Sequence, residues 1–260
     1  MADFNYQTLL TEVDEQGILW LTLNRPEKLN SVNNLMLDEL SDLWARLRHD
    51  LKVRVVIMRG SPESKGFCGG LDLSEPIDPE NANTYYLYDW QSRLGRLQLA
   101  MRQIPQPIIA VVHGAAAGAG FSFAMASDIR VISTDARFSA FYVNVGLGGA
   151  DMGCSYFLPR LIGAGRAYEF MLTGRFMSAE EAVALGFVSK CVERDQLTEA
   201  ALELANLMVA KDYMAMRLTK EAINMNLDCG GLENALKMED RNQIMLVMHN
   251  LSRGKAGIGK

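Results

Sequence analysis

Residues 107–129 read Pro-Ile-Ile-Ala-Val-Val-His-Gly-Ala-Ala-Ala-Gly-Ala-Gly-Phe-Ser-Phe-Ala-Met-Ala-Ser-Asp-Ile, and no other stretch narrows the fold as much. The run Ile108 to Val112 is apolar and mostly β-branched, and it breaks at His113-Gly114. Gly114, Gly118 and Gly120 punctuate a small-residue segment, and a second apolar run closes at Ser127-Asp128. The pattern predicts a buried strand, a tight turn, and a helix whose first turn is nearly bare of side chains. Such a helix start presents unpaired N–H groups suited to a developing anion. Ala119 is then a candidate donor of one of two N–H groups that polarise a carbonyl. The alternative is a helix packed tightly for structural reasons alone.

The flanking chain alternates strands with helices. Strands are expected at Ile18 to Leu23, Val53 to Met58 and Ile129 to Ile132, and helices at Asn34 to His49 and Thr84 to Met101. Ser61 to Leu73 reads as a glycine-containing loop. This alternation predicts parallel pairing and an α/β architecture. Past Gly163 the character changes. Ser178-Ala179-Glu180-Glu181 is a capping box with Gly186 as its stop, and helices follow at Leu197 to Val209, Tyr213 to Met225 and Leu232 to Met248. We divide the chain into a core, 1–195, and a helical region, 196–260, which has no sheet of its own and is expected to pack against a neighbouring copy.

The totals exclude several classes. At 260 residues, with 49% hydrophobic and 22% charged side chains, the chain has ample globular core. A net charge of −5 without a basic run argues against nucleic acid as a partner. Cys68, Cys154, Cys191 and Cys229 are far apart, and His49, His113 and His249 are scattered, so no metal site or disulfide framework is expected. The N-terminus has no secretory pattern, and cytoplasmic localisation is the expectation. Ile108 to Ala126 approaches the length of a membrane span, but its histidine and glycines argue against a membrane.

Several spans, taken in order, match one family. They are Asn24-Arg25-Pro26-Glu27-Lys28-Leu29-Asn30, Phe67-Cys68-Gly69-Gly70-Leu71-Asp72-Leu73, His113 through Gly120, Ser127-Asp128-Ile129, and Gly146-Leu147 leading to Leu158-Pro159-Arg160-Leu161-Ile162-Gly163. Leu172-Thr173-Gly174-Arg175 and Ala182 to Gly186 extend the match. Over nearly its whole length the chain resembles the enoyl-CoA hydratase/isomerase (crotonase) superfamily. The resemblance implies a spiral of repeated ββα units with a C-terminal helical trimerisation region, assembling as a homotrimer or as a hexamer of two trimers. It implies an acyl-CoA thioester substrate, with coenzyme A entering only as part of that substrate and no separate cofactor.

Matched residue by residue, the resemblance implies that the N–H groups of Gly69 and Ala119 hold the thioester oxygen as enolate charge forms. Each such donor is typically worth about 10²–10³ in rate. Arg25 and Lys28 match positions near the CoA phosphates; a solvated loop is the alternative. Phe67, Gly70 and Leu71 belong to the same substrate-binding segment, while Asp72 reads as a residue that ties down the loop. Hydratases of the family carry two glutamates, and the matching positions here are Ser122 and Tyr142, neither acidic enough to act as a carboxylate. The chain therefore resembles a subgroup lacking both. Tyr142 reads alternatively as a wall of the acyl pocket, whose expected walls are Tyr85 to Trp90 and Phe138 to Tyr142.

One carboxylate remains nearby. Asp151, in Gly148-Gly149-Ala150-Asp151-Met152-Gly153, matches an acidic position used by dienoyl-CoA isomerases of the family. It is a candidate proton shuttle or a helix N-cap. A single base suits double-bond isomerisation better than addition of water, so both reactions stay open with isomerisation ahead. Two other readings are a non-catalytic CoA-ester binder and a CoA-thioester hydrolase using Ser122, Asp151 and His249. A dinucleotide enzyme is disfavoured because the glycines run G-x-x-x-G-x-G.

Overall fold

A computed structural model describes residues 5–75 and 83–254. The central sheet is built from β1 (Leu9–Val13), β2 (Ile18–Leu23), β3 (Val55–Gly60) and β4 (Ile108–Val112), with further strands described below. α1 (Asn34–Leu47) and α2 (Thr84–Gln103) precede β3 and β4. β5 (Ala115–Ala117) and α3 (Ala119–Ala126) lead into β6 (Ile129–Ser133) and β7 (Arg137–Ser139). α4 (Cys154–Ile162), α5 (Ala164–Thr173), β8 (Met177–Ser178), α6 (Ala179–Ala184) and β9 (Lys190–Val192) follow. The chain ends with α7 (Leu197–Val209), α8 (Tyr213–Asn226) and α9 (Leu232–Ser252).

The larger sheet has the order β1-β2-β3-β4-β6-β9 and is parallel except for the β1–β2 hairpin at its edge. The smaller, β5-β7-β8, stands on the side of the loops that follow the parallel strands. This is the α/β architecture expected from the sequence. The hairpin strand β1 and the alanine strand β5 escaped that reading. β1 is short and carries Thr11 and Glu12 between its apolar residues. β5, all alanine, has no side-chain preference for a strand and is set by main-chain pairing.

Strand alternation explains why the buried strands read as continuous apolar runs. Val56 and Met58 face the core under α1, α2 and α3, together with Ile108, Ala110 and Val112. Val55, Ile57, Ile109, Val111 and Val131 face the other side, against Leu197, Ala200, Ala201 and Ala205 of α7. A parallel sheet covered on both faces leaves no side of these strands for polar residues. α7 thus belongs to the core layer, although the sequence division placed it in the C-terminal region. No residue of α9 is buried in the single chain, and it packs along α8.

Asp128 fastens α8 to the core. Its carboxylate accepts from the Ile108 N–H at 2.8 Å, from Arg102 at 2.8 Å, and from Lys220 Nζ at 2.8 Å. Lys220 is buried and also donates to the carbonyls of Met101 and Gln106. Burial pulls its ammonium below the usual lysine range, and Asp128 opposes that shift. Removing one member of a buried charge pair leaves the other uncompensated. Asp128→Ala is therefore expected to destabilise the fold by about 3 kcal/mol or more, read as a lower urea midpoint at unchanged m-value.

Candidate active site

The site lies where the parallel strands end. The segment after β3 runs extended beside β5: the Cys68 N–H donates to Ala115 O at 3.2 Å, and the Ala117 N–H donates to Cys68 O at 3.0 Å. Its opposite edge pairs with residues 29–32. The Gly69 N–H donates to Leu29 O at 2.9 Å, the Val32 N–H to Gly70 O at 2.8 Å, and the Asp72 N–H to Val32 O at 2.9 Å. Gly69 is thus fully engaged, and its N–H is unavailable to a ligand, contrary to the sequence-based expectation. The edge facing residue 32 uses Gly70 O and Asp72 N–H, so the intervening Leu71 N–H points the other way. On that side β5 has already ended at Ala117. Among the described residues nothing accepts the Leu71 N–H.

The other candidate, Ala119, stands at the start of the next helix. Gly118, in a left-handed conformation (φ 51°), begins α3 without a side-chain cap. Among the described residues the Ala119 N–H also has no acceptor, as expected of a first-turn amide. Gly70 and Gly118 bring the two together. A Cβ on Gly118 would stand 3.6 Å from Gly70 Cα, and one on Gly70 (φ 109°) would stand 3.2 Å from Ala117 O. Each of these touching glycines is followed by an unengaged N–H, Leu71 on one side and Ala119 on the other. Gly120 secures the approach from below, since a Cβ there would lie 2.3 Å from Cys68 O.

Polar groups surround this gap. Tyr142 sits in a short 3-10 turn, residues 141–145, after β7, and its ring packs against Gly118. Its hydroxyl lies 2.9 Å from Ser122 Oγ, and both residues are buried. Burial raises the Tyr142 phenol far above its ordinary range, despite the Ser122 hydrogen bond, so it stays protonated. Asp151 is half-buried within electrostatic reach of Tyr142. Burial raises its carboxyl above the ordinary range, opposed by hydrogen bonds from the Met152 N–H and Gln91. Asp151 does not cap a helix with its side chain: α4 begins after Gly153, which has no side-chain cap, and Asp151 Oδ1 accepts from its neighbour Met152 at 2.7 Å. The contact from Gln91 Nε2, at 2.6 Å, crosses 60 positions of sequence, and no local pattern announces it.

The other candidates separate. Phe67 is fully buried in the core and lines no opening to the site. Arg25 is held by Asp72 Oδ2 at 2.7 Å and Ser31 O at 2.6 Å, so its guanidinium clamps the loop. The Ser74 hydroxyl, then Arg25, brings the Asp72 carboxyl down to about 2. Lys28 is exposed, with Nζ 3.3 Å from Ser74 Oγ. His249 lies on α9 beside Asp212 and Arg253, while Ser122 bonds Tyr142, so the Ser-Asp-His arrangement of a hydrolase is not assembled. Beside Leu71, a cavity of about 140 Å³ is lined by Val32, Leu37, Tyr86, Trp90 and Leu94. No helix among the described residues is long and apolar enough to cross a membrane.

Residues 13–257 match the family model described as enoyl-CoA hydratase/isomerase. The chain belongs to the enoyl-CoA hydratase/isomerase family. A probable enoyl-CoA hydratase, echA12, of Mycobacterium bovis is 38% identical over 243 residues, covering 92% of this chain and 84% of its own length. A solved putative enoyl-CoA hydratase from Streptomyces coelicolor superposes with a TM-score of 0.88 at 32% identity, over 98% of this chain and 95% of that one. A monofunctional enoyl-CoA isomerase from M. smegmatis superposes with a TM-score of 0.74 at 37% identity, over 88% and 98%. In this family member, adding one methyl group at Gly120 forces α3 away from Cys68. Gly120→Ala is expected to cut turnover of acyl-CoA thioesters by about 10²–10³ through misplacement of an anion donor, with the substrate-free protein still folded by circular dichroism.

Proposed function

We propose that this protein, an acyl-CoA-transforming enzyme of the enoyl-CoA hydratase/isomerase type, moves a double bond by a proton shift through a thioester enolate. The observation that carries the reading is the pair of unengaged N–H groups, Leu71 and Ala119, beside two touching glycines, with Asp151 nearby as a half-buried carboxylate that, unlike Asp72, is not held by an arginine among the described residues. Ser122 and Tyr142, which stand where the resemblance places glutamates, bond each other. We accordingly assign the chain to a subgroup that works without that carboxylate pair.

The chemistry follows from these groups. Asp151 takes a proton from the carbon next to the thioester of a 3-enoyl-CoA. The C–H electron pair forms the enolate double bond, and negative charge moves onto the thioester oxygen. Leu71 and Ala119 donate to that oxygen in a site where the main chain is already fixed, so little reorganisation accompanies the charge. Asp151 then returns the proton at the far end of the dienolate, leaving a 2-enoyl-CoA. The Tyr142 hydroxyl, neutral throughout, borders this path. Arg25 and Asp72 hold the segment that carries Leu71, and Lys28, exposed at the rim, is the cation we assign to the CoA phosphates. The similarity to a protein named enoyl-CoA hydratase keeps a second reading, in which Ser122 and Tyr142 orient a water for addition.

The apolar face of α9, with Leu236, Ile244 and Met248 exposed, supports assembly as a homotrimer or a pair of trimers. We place the enzyme in the cytoplasm, with coenzyme A supplied by the substrate and no separate cofactor. Asp151→Asn is expected to lower kcat for 3-enoyl-CoA isomerisation by about 10²–10⁴, with the product identified by mass and absorbance. Full turnover in that variant removes Asp151 from the mechanism, and incorporation of water selects hydration. Because the raised Asp151 carboxyl acts in its deprotonated form, kcat/KM is expected to fall with decreasing pH. The midpoint should lie above the ordinary carboxylate value of about 4, read from an initial-rate profile.

A further inference from the structure

Two consecutive residues of α2 reach opposite sides of the site. Trp90 lines the cavity beside Leu71, and its indole N–H donates to Asn34 Oδ1 at 2.8 Å on α1. Gln91 turns the other way and donates to Asp151 Oδ1 at 2.6 Å. The same oxygen accepts the Met152 N–H at 2.7 Å, and Met152 has a positive φ of 44° with its side chain buried. Among the described residues, Oδ2 has no hydrogen-bond partner.

We propose that Gln91 is a positioning residue for Asp151, fixing the carboxyl so that Oδ2 alone carries the transferred proton. The proposal rests on the reading of Asp151 as the base. A carboxylate that moves one proton between two carbons must keep one oxygen aimed at the substrate across both steps. Two donors on Oδ1 do this in either protonation state. A carboxylate oxygen accepts them, and the carbonyl oxygen of a carboxylic acid protonated at Oδ2 still accepts them. Without Gln91 the carboxyl has one tether, from the adjacent main chain, and rotation can exchange its oxygens. Because Trp90 and Gln91 share one helical turn, the wall of the cavity and the orientation of the base belong to one rigid element.

The donor also favours the charged carboxylate, opposing the effect of burial. Among the described residues, the titratable groups that sense Asp151 are Tyr142, from the turn after β7, and Cys154, at the start of α4. Burial raises both, and the Cys154 thiol, pushed up to about 12, stays neutral through the working range. Loss of the Gln91 donor therefore has a pH signature that loss of packing alone lacks.

The test compares wild type, Gln91→Leu, Gln91→Glu and Asp151→Asn in 3-enoyl-CoA isomerisation, together with a ¹³C NMR titration of the Asp151 carboxyl in the substrate-free protein. Gln91→Leu is expected to raise the Asp151 midpoint and the acid limb of kcat/KM by about 0.5–1 pH unit. It should lower kcat about tenfold with KM within about twofold, the mark of an interaction that acts in the transition state. Gln91→Glu, which sets a second carboxylate against the first, is expected to raise the midpoint further. An unchanged Asp151 titration in Gln91→Leu, or a loss carried by KM alone, overturns the proposal. An inactive Asp151→Asn beside a Gln91→Leu of wild-type rate and pH profile overturns the role of Gln91 while leaving that of Asp151. A fully active Asp151→Asn overturns the reading on which both stand.

Discussion

Main chain meets main chain at the centre of this molecule with almost nothing between. Gly70 packs on Gly118, and Gly120 packs on the Cys68 carbonyl. The proposed chemistry depends on these contacts. They bring amides from residues 71 and 119, far apart in sequence, to the rim of one gap. Side chains there would fill the space a thioester needs. Side-chain donors in their place would also have to be ordered before each reaction, whereas amides set by a ladder on one side and a helix start on the other are ordered when the chain folds. The surrounding fold serves that placement. A sheet covered on both faces supplies rigid strands, and the Arg25–Asp72 pair prevents the loop carrying Leu71 from lifting away.

Much of this was legible in the sequence. Continuous β-branched runs gave the buried strands, because a sheet with helices on both sides has no wet face. The string Gly114, Gly118, Gly120 gave the turn and the bare helix start, because few other requirements place glycines so closely. Ser178 caps the helix that follows it, as its capping box predicted, and Asn33 and Asp212, which the sequence reading passed over, do the same by accepting main-chain N–H groups.

Which N–H of residues 67–73 stays unengaged was not legible. Whether Gly69 or Leu71 offers its N–H depends on which edge of the segment faces residues 29–32. That pairing is made by a turn about forty positions earlier, held by Arg25 and Asn30, whose side chain donates to Gly66 O and Phe67 O. Glycine was the natural choice because it admits close approach. In the structure the glycines make the close approach, and the residues after them carry the unengaged N–H groups. Gln91 was invisible for a related reason: an exposed glutamine on a helix has no local signature of what it will touch, and only the path of residues 146–153 brings Asp151 beneath it. Phe67 misled in the opposite sense. It is adjacent to the donor segment, yet strand alternation turns it into the core.

The ion cluster at Asp128 ties the C-terminal helices to the enzyme in a way that their exposed surfaces conceal. Lys220 on α8, Arg102 at the end of α2 and the first amide of β4 all converge on one carboxylate. β4 is the strand that delivers His113 and the glycine turn, so α8 anchors the base of the very strand whose other end opens into the catalytic gap. A chain trimmed ahead of α8 would lose Lys220, one of the two cations that neutralise the root of that strand, and trimming would therefore reach the active centre from its far side.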